Sequence, residues 1–405
     1  MKILVICQYY YPEPFRITDI CEELVNQGHD VTVVTGTPNY PMGEIYSGYE
    51  NGQRVDEVIK GVKVHRCKTA PRKTGAMNRL KNYFSYPVAS KKYVQKLADD
   101  FDVVFVNQLS PVMMAEAGIW YKKKYNKKLV LYCLDLWPES LCVGGIKKNS
   151  AVYNAFKALS KRVYRNADEV LITSRSFRTY LKNMFGIYDD KITYLPQYAE
   201  AQFLELHEKQ QGEVFNLLFA GNIGAAQSVD TIIGAARILK DESVMFHIVG
   251  DGSEIEHLKK LSGDLTNVVF YGRKPIEEMP MYYEMADAML VTLTDDPIIS
   301  LTLPGKVQTY MAAGKPIVGA VNGETQMILN DSQGGYCGEA LSSSQLAQNI
   351  MKLKLSNNSI EIGRCNRKYY ENNFSKQEFM AKLINMLNTN GSIERLNKYD
   401  CFDRK

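Results

Sequence analysis

The amino-acid sequence predicts an α/β chain of two Rossmann-like, doubly wound domains facing across a cleft. Three observations carry that prediction. The chain has 405 residues, 45% hydrophobic and 23% charged, too long for one comfortable core and ordinary for two. Short apolar runs alternate with segments of helical periodicity from the first residues onward. The alternation stops at a polar stretch near mid-chain and then restarts.

Taken in order, Ile3–Cys7 reads as a buried strand. After a Tyr/Pro loop, Ile17, Ile20, Cys21, Leu24 and Val25 recur at helical spacing until Gly28 stops the helix, and Val31–Thr35 returns as a strand. Strand, helix and strand in so short a span form a βαβ unit with a parallel sheet and a right-handed crossover. The pattern continues through a strand at Val103–Asn107, a helix from Pro111 to Lys124, a strand at Leu129–Cys133, a helix from Ser150 to Arg165 and a strand at Val170–Thr173. This first domain is expected to cover residues 1–195, and residues 196–213, ending in Glu208-Lys-Gln-Gln-Gly-Glu213, read as a linker. The second domain, 214–388, takes strands at Phe215–Ala220, Val244–Val249, Val268–Tyr271, Ala288–Thr292 and Ile317–Ala320, a helix from Val229 to Leu239 and only helical patterns beyond 342. Residues 389–405 are a polar tail.

Composition excludes disorder, collagen and small disulfide scaffolds. The eight cysteines are scattered without a C-x-x-C pair, so they read as reduced core residues of a cytoplasmic protein, and no metal site is expected. The N-terminus lacks the features of a signal peptide, and no apolar run is long enough to span a bilayer. The net charge of +4 divides unevenly: residues 1–200 carry 29 Lys/Arg against 20 Asp/Glu, residues 201–405 carry 20 against 25. A basic half fits an anionic membrane surface or a merely solvated face. Nucleic acid is not an expected partner, because aromatic-interleaved basic clusters are absent.

Glycine turns at the carboxyl ends of strands are the candidate phosphate site. Gly221-Asn-Ile-Gly224 follows the strand ending at Ala220, so Gly221, Asn222 and Gly224 bring turn amides and a helix N-terminus to one place, as a phosphate requires. Gly250-Asp-Gly252 repeats the arrangement with Gly250, Asp251 and Gly252, and a plain βα turn is the structural alternative for both. Leu303-Pro-Gly-Lys306 opens a further helix, where Pro304 and Gly305 expose unpaired amides and Lys306 adds a full charge able to neutralise a leaving diphosphate without a metal. In the first domain, Asp135-Leu-Trp-Pro-Glu139 puts Trp137, suited to a sugar face, beside Asp135 and Glu139, either of which could orient or deprotonate a hydroxyl. A helix cap with a core Trp is the alternative. Tyr9-Tyr-Tyr-Pro-Glu-Pro14 and Pro38-Asn-Tyr-Pro-Met-Gly43 fill neighbouring loops.

These stretches, together with Gly28-His-Asp-Val-Thr-Val-Val34, Phe270-Tyr-Gly272 and Ala312-Ala-Gly-Lys-Pro316, resemble in order and spacing a family-4 retaining glycosyltransferase of the GT-B fold, in the branch that builds bacterial surface polysaccharides such as capsule and O-antigen. The resemblance spans residue 1 to about residue 320. It implies a UDP-sugar donor on the second domain, with Arg273 and Thr309 joining the glycine turns and Lys306. It implies a saccharide acceptor on a polyprenyl diphosphate at the cytoplasmic membrane face, met by Tyr11, Glu13, Asn39, Tyr40 and Trp137 of the first. Asp135, Glu139 and Lys306 are then the catalytic candidates, no metal or other cofactor is implied, and the transfer proceeds with retention. Two departures stand out: the family's pair of glutamates, with seven residues between them, is replaced by Leu301 and Thr309, and its mid-domain histidine is missing, which leaves Asp135 as the candidate for its role.

Two rivals share the architecture. A UDP-sugar epimerase would need several acid/base groups in the cleft, and a non-catalytic partner subunit would explain the missing glutamates.

Overall fold

A computed structural model of the chain describes residues 1–71, 76–143, 145–207, 212–356 and 358–388. Most of the polar run at the end of the expected linker, residues 208–211, and the tail at 389–405 lie outside the described residues. The chain divides into two units, the first comprising Met1–Ile172, Tyr180–Thr193 and the chain from Met380, the second Thr173–Thr179 and Tyr194–Phe379.

The first unit contains β1 (Lys2–Ile6), α1 (Ile17–Asn26), β2 (Asp30–Gly36), β3 (Asp56–Ile59), β4 (Val62–Cys67), α2 (Ala76–Val94), β5 (Val103–Gln108), α3 (Glu116–Tyr125), β6 (Lys128–Cys133), the single turn α4 (Ser140–Val143), α5 (Ala151–Asn166) and β7 (Glu169–Ile172), followed by α6 (Ser176–Phe185) and β8 (Ile192–Tyr194). Its sheet runs β3-β4-β2-β1-β5-β6-β7-β8. β1, β2, β4, β5, β6 and β7 pair in parallel, and β3 pairs antiparallel with β4. Ile3–Ile6 and all of β5 are buried, as expected for parallel strands covered on both faces. Helix α1 buries Ile17, Ile20, Cys21 and Leu24, the stripe its spacing predicts. Ser150 caps α5, its Oγ accepting from the Tyr153 N–H at 3.2 Å.

The β3–β4 hairpin and α2 lie in a stretch where the sequence announced no element. The hairpin turns at Lys60-Gly61, both at positive φ, a geometry suited to a tight hairpin. A lysine at the first turn position hides the signal that Asn-Gly or Asp-Gly would send.

The second unit contains β9 (Phe215–Ala220), α7 (Asp230–Ile238), β10 (Val244–Val249), α8 (Ile255–Ser262), β11 (Val268–Gly272), α9 (Met279–Met285), β12 (Ala288–Thr292), α10 (Gly305–Ala312), β13 (Ile317–Ala320), α11 (Glu324–Ser332), β14 (Gly335–Gly338), α12 (Ser343–Ser356), α13 (Ser359–Asn373) and α14 (Lys376–Leu387), whose last turns belong to the first unit. The sheet order is β11-β10-β9-β12-β13-β14, with every pair parallel. Alternate residues of β9 point to opposite faces. Phe215, Leu217 and Phe219 join the core under α7 and α12, while Leu218 and Ala220 join the core under α9 and α10. β14 was not predicted because Gly-Tyr-Cys-Gly lacks strand character; Gly335 is needed there, since a Cβ would lie 1.8 Å from the Ile317 carbonyl oxygen.

One contact fixes α10 against the end of β9. The buried Tyr310 hydroxyl accepts from the Ala220 N–H at 2.9 Å and donates to the Ala220 carbonyl at 3.1 Å. Tyr310→Phe would leave both backbone groups without that partner in the core. It is expected to cost about 1–3 kcal/mol, read as a lower urea midpoint at unchanged slope.

Candidate functional site

In the second unit the site is built at the carboxyl ends of β9 and β10, beside the start of α10. The two glycine turns pack against each other so closely that side chains are excluded: a Cβ on Gly250 would lie 1.8 Å from the Gly221 carbonyl oxygen, and one on Gly252 2.3 Å from that of Ile223. Gly221 and Gly250 hold φ of 143° and 145°, which L side chains rarely adopt.

The expectation that the Gly221–Gly224 amides cradle a phosphate is corrected for three of the four by where those amides point. The Gly221 N–H donates to Val249 O at 3.0 Å, Ile223 N–H to Asp251 O at 2.9 Å, and Gly224 N–H to Gln227 Oε1 at 3.2 Å. Adjoining strand-end turns satisfy one another because unpaired amides at such crowding are costly. Likewise the Gly250 N–H donates to Gly272 O and the Gly252 N–H to Asp251 Oδ1.

What Gly221 contributes is room. A Cβ there would stand 2.9 Å from Lys306 Nζ and 3.1 Å from Lys306 Cε. Lys306 starts on the α10 face of the sheet, and its ammonium passes over the end of β9 to lie 3.7 Å from the ring centroid of Phe219, which points to the other face. The nitrogen is buried and has no hydrogen-bond partner, although the residue as a whole is partly exposed. Burial alone lowers its pKa from 10.5 to about 7. The aromatic face recovers part of the lost hydration, and the unpaired amides at the start of α10 add positive potential.

Around this ammonium, Pro304 is partly exposed and Gly305 exposed. Thr309, one of the residues expected to meet the UDP-sugar, is buried and donates its hydroxyl back to the Gly305 carbonyl at 3.3 Å. That hydroxyl proton is spent inside the helix. Asn222, Asp251 and Arg273 are exposed at the ends of β9, β10 and β11, and Asn222 donates to Gln227 at 3.1 Å. Among the described residues no three His, Cys, Asp or Glu side chains are disposed to hold a metal ion.

In the first unit the loops after β1, β2, β5 and β6 share the carboxyl edge of the sheet. Here burial corrects four of the expected contacts. Glu13 is 3% exposed and accepts from the N–H groups of Asn39, Tyr40 and Tyr10 at 2.8, 2.7 and 3.2 Å. It staples the first loop to the second and presents no carboxylate outward; burial outweighs these hydrogen bonds and raises its pKa to about 7. Asn39 is buried with it, its amide donating to Thr37 O. Trp137 is fully buried, edge-on to Tyr83 and Phe156, and so offers no face to a sugar. Glu139 is 2% exposed and receives the hydroxyls of Tyr153 and Tyr180 at 2.9 and 3.0 Å, with Lys148 at 3.6 Å. It is an internal anchor for three elements, not a catalytic base.

Asp135 is different. It is only partly buried, and its Oδ2 accepts from Ser110 Oγ at 3.0 Å, while that hydroxyl accepts from Trp137 Nε1 at 2.7 Å. The indole thus orients the serine and the serine orients the carboxylate. Ser110 carried no sequence signal, because its role depends on β5 and β6 being neighbours. Tyr11 remains exposed, and Tyr40 is partly exposed, its ring packed on Tyr9 and Phe15. A further carboxylate carries no sequence signal: Glu324, buried at the start of α11, accepts from the Arg175 and Ser176 N–H groups and the Ser176 hydroxyl.

The Lys306 environment sets a pH signature. Between pH 7 and 10.5 the unfolded chain still holds this proton and the folded one does not, so the unfolded state binds more protons and this group makes stability rise with pH across that window. Lys306→Met is expected to raise the thermal midpoint of the ligand-free protein most below pH 7, with the gain shrinking toward pH 10. A gain independent of pH would contradict the burial of a titrating ammonium.

Comparison with known proteins agrees with this architecture. A family model for a glycosyl transferase 4-like domain matches residues 15–197, and one for glycosyl transferases group 1 matches residues 214–355. WbjE of Pseudomonas aeruginosa, named as a glycosyltransferase, is 27% identical over 275 residues, 63% of this chain and 66%, just under two thirds, of that protein. WcaI of Escherichia coli K12, named as a colanic acid biosynthesis glycosyl transferase, is 26% identical over 338 residues, 78% of this chain and 82% of that one. Among solved structures, HepE of Anabaena in complex with UDP superposes with a TM-score of 0.71 at 15% identity, covering 96% of this chain and 99% of that one. The two family models between them span most of the sequence, and the chain belongs to the GT-B-fold glycosyltransferases, with a 4-like first domain and a group 1 second domain.

Proposed function

We propose that the protein transfers a sugar, an N-acetylated amino sugar or a deoxy sugar, from a UDP-linked donor to a saccharide carried on a polyprenyl diphosphate. The setting is bacterial surface-polysaccharide assembly at the inner face of the cell membrane, and the transfer retains anomeric configuration. The observation that carries the reading is the buried, unpartnered ammonium of Lys306 at the start of α10. Such a group calls for an anion of high charge density, and a nucleoside diphosphate supplies one. HepE, alike in fold, is a UDP complex, and WcaI is named for a polysaccharide pathway; both support the choice of donor and setting.

As the anomeric C–O bond breaks, negative charge grows on the departing diphosphate while the sugar ring takes on oxocarbenium character. Lys306, protonated when the anion is present, and the first amides of α10 hold that charge, so no metal is called for in this reading. The acceptor hydroxyl attacks from the leaving-group face, and its proton passes to a diphosphate oxygen. In the first unit, Asp135, held in direction by Ser110, is the group suited to orienting an acceptor hydroxyl, which is a matter of position more than of basicity.

Three outcomes test this. Lys306→Ala should lower turnover about a hundredfold, the scale of one lost oxyanion donor, and near-native turnover in a purified assay would remove it from the mechanism. Calorimetric titration with UDP near pH 8 should show uptake of a proton in the native protein and none in Lys306→Met, because the ligand-free ammonium is largely deprotonated there. No heat at all would favour a non-catalytic partner subunit. Mass spectrometry of the lipid product from a donor screen should show one added sugar; a donor isomer formed without acceptor would mark an epimerase instead.

A further inference from the structure

Helix α2 has an outward face that water alone does not explain. Its inner face is Asn82, Tyr86, Ser90 and Val94, all fully buried, with the Tyr86 hydroxyl donating to Val34 O at 2.8 Å. On the outer face Leu80, Phe84 and Val88, spaced four residues apart, are 46, 47 and 63% exposed. A helix packed on one side of a sheet ordinarily keeps its other side polar, and a contiguous exposed apolar row marks an interaction surface.

The charge around this row is of one sign. Between residues 60 and 98 the sequence holds eleven Lys or Arg and no Asp or Glu, more than the whole excess of the basic half. Lys60, Lys63 and Arg66 are paired with Glu22, Asp30 and Glu57. Lys81, Lys91 and Lys92, which share the outer arc of α2 with the apolar row, form no ion pair among the described residues. Apolar side chains bordered by unpaired lysines are the composition of a helix lying in the plane of an anionic bilayer.

The position fits as well. In the sheet β4, β2 and β1 are neighbours, so α2, which follows β4, begins beside the loops after β2 and β1. Gln8 Nε2 donates to Asn82 Oδ1 at 3.3 Å and ties the first loop to the helix. Those loops also expose Tyr11 and Met42, at 47 and 76%. No described helix is long and apolar enough to cross a membrane, so the contact available to α2 is peripheral.

We infer that the outer face of α2, through Leu80, Phe84 and Val88 flanked by Lys81, Lys91 and Lys92, is the surface by which the protein docks on an anionic lipid bilayer. This rests on the lipid-linked acceptor proposed above for its purpose; the docking itself is measured without it. The test is co-sedimentation of the full chain with vesicles of mixed phosphatidylglycerol and phosphatidylcholine, against phosphatidylcholine alone. The native protein should pellet with the mixed vesicles and release as salt rises, because counterions screen the lysines. Leu80→Ser/Phe84→Ser/Val88→Ser and, separately, Lys81→Glu/Lys91→Glu/Lys92→Glu should each weaken binding about tenfold or more, with the UDP titration unchanged. A native protein that stays in the supernatant, or a serine variant that pellets like the native chain, overturns the assignment. So does a dimer that the serine variant dissolves while vesicles are ignored, since the face would then be a self-association surface. If docking behaves as stated but no sugar reaches a lipid-linked acceptor, the docking surface stands and the acceptor reading fails.

Discussion

A buried ammonium without a counterion is the constraint on which the second unit's chemistry turns. Taking a lysine nitrogen out of water costs several kcal/mol unless something nearby replaces its hydration, and the protein offers only partial replacement: the face of Phe219 and the first amides of α10 nearby. Gly221 leaves the space the side chain crosses, and Tyr310 pins α10 to the backbone of Ala220 so that the space and the lysine coincide. The missing term is an anion. The glycine turns, with most of their amides already satisfied by one another, act as a rigid floor, and the charge comes from the lysine and the helix.

The first unit spends its carboxylates in the opposite way. Glu13 and Glu139 are turned inward and satisfied by backbone amides and tyrosine hydroxyls, holding loops and helices in register. Asp135 stays at the edge, held by a serine that is itself held by an indole. A carboxylate kept partly in water but fixed in direction suits the orientation of a neutral hydroxyl. The row on α2 belongs to the same unit and begins beside the same loops, so the surface read as membrane-facing adjoins the loops read as acceptor-facing.

Much of the architecture was legible because doubly wound folds write themselves locally: buried strands as apolar runs, covering helices as stripes, ligand loops as glycine or proline at strand ends. The strands from β9 to β13 and the helix α10, opened by Pro304 and Gly305, followed from that grammar. The β3–β4 hairpin and β14 did not, since one turns on a lysine and the other is built of glycines. In the site, Lys306 was legible from its helix-start context. The fates of Trp137, Glu139, Glu13 and Asn39 were not, because an aromatic or acidic residue in a loop reads the same whether it faces a ligand or the core.

By itself, the sequence determined which elements form and where polar residues gather, since periodicity and turn chemistry act over a few neighbouring residues. Tertiary structure decided which of those polar residues are spent inside the protein and which remain available, because burial and hydrogen-bond partners come from strands distant along the chain. Ser110 meets Asp135 only through the pairing of β5 with β6, and Lys306 lies bare only because Gly221 and Phe219 close around it without offering an acceptor.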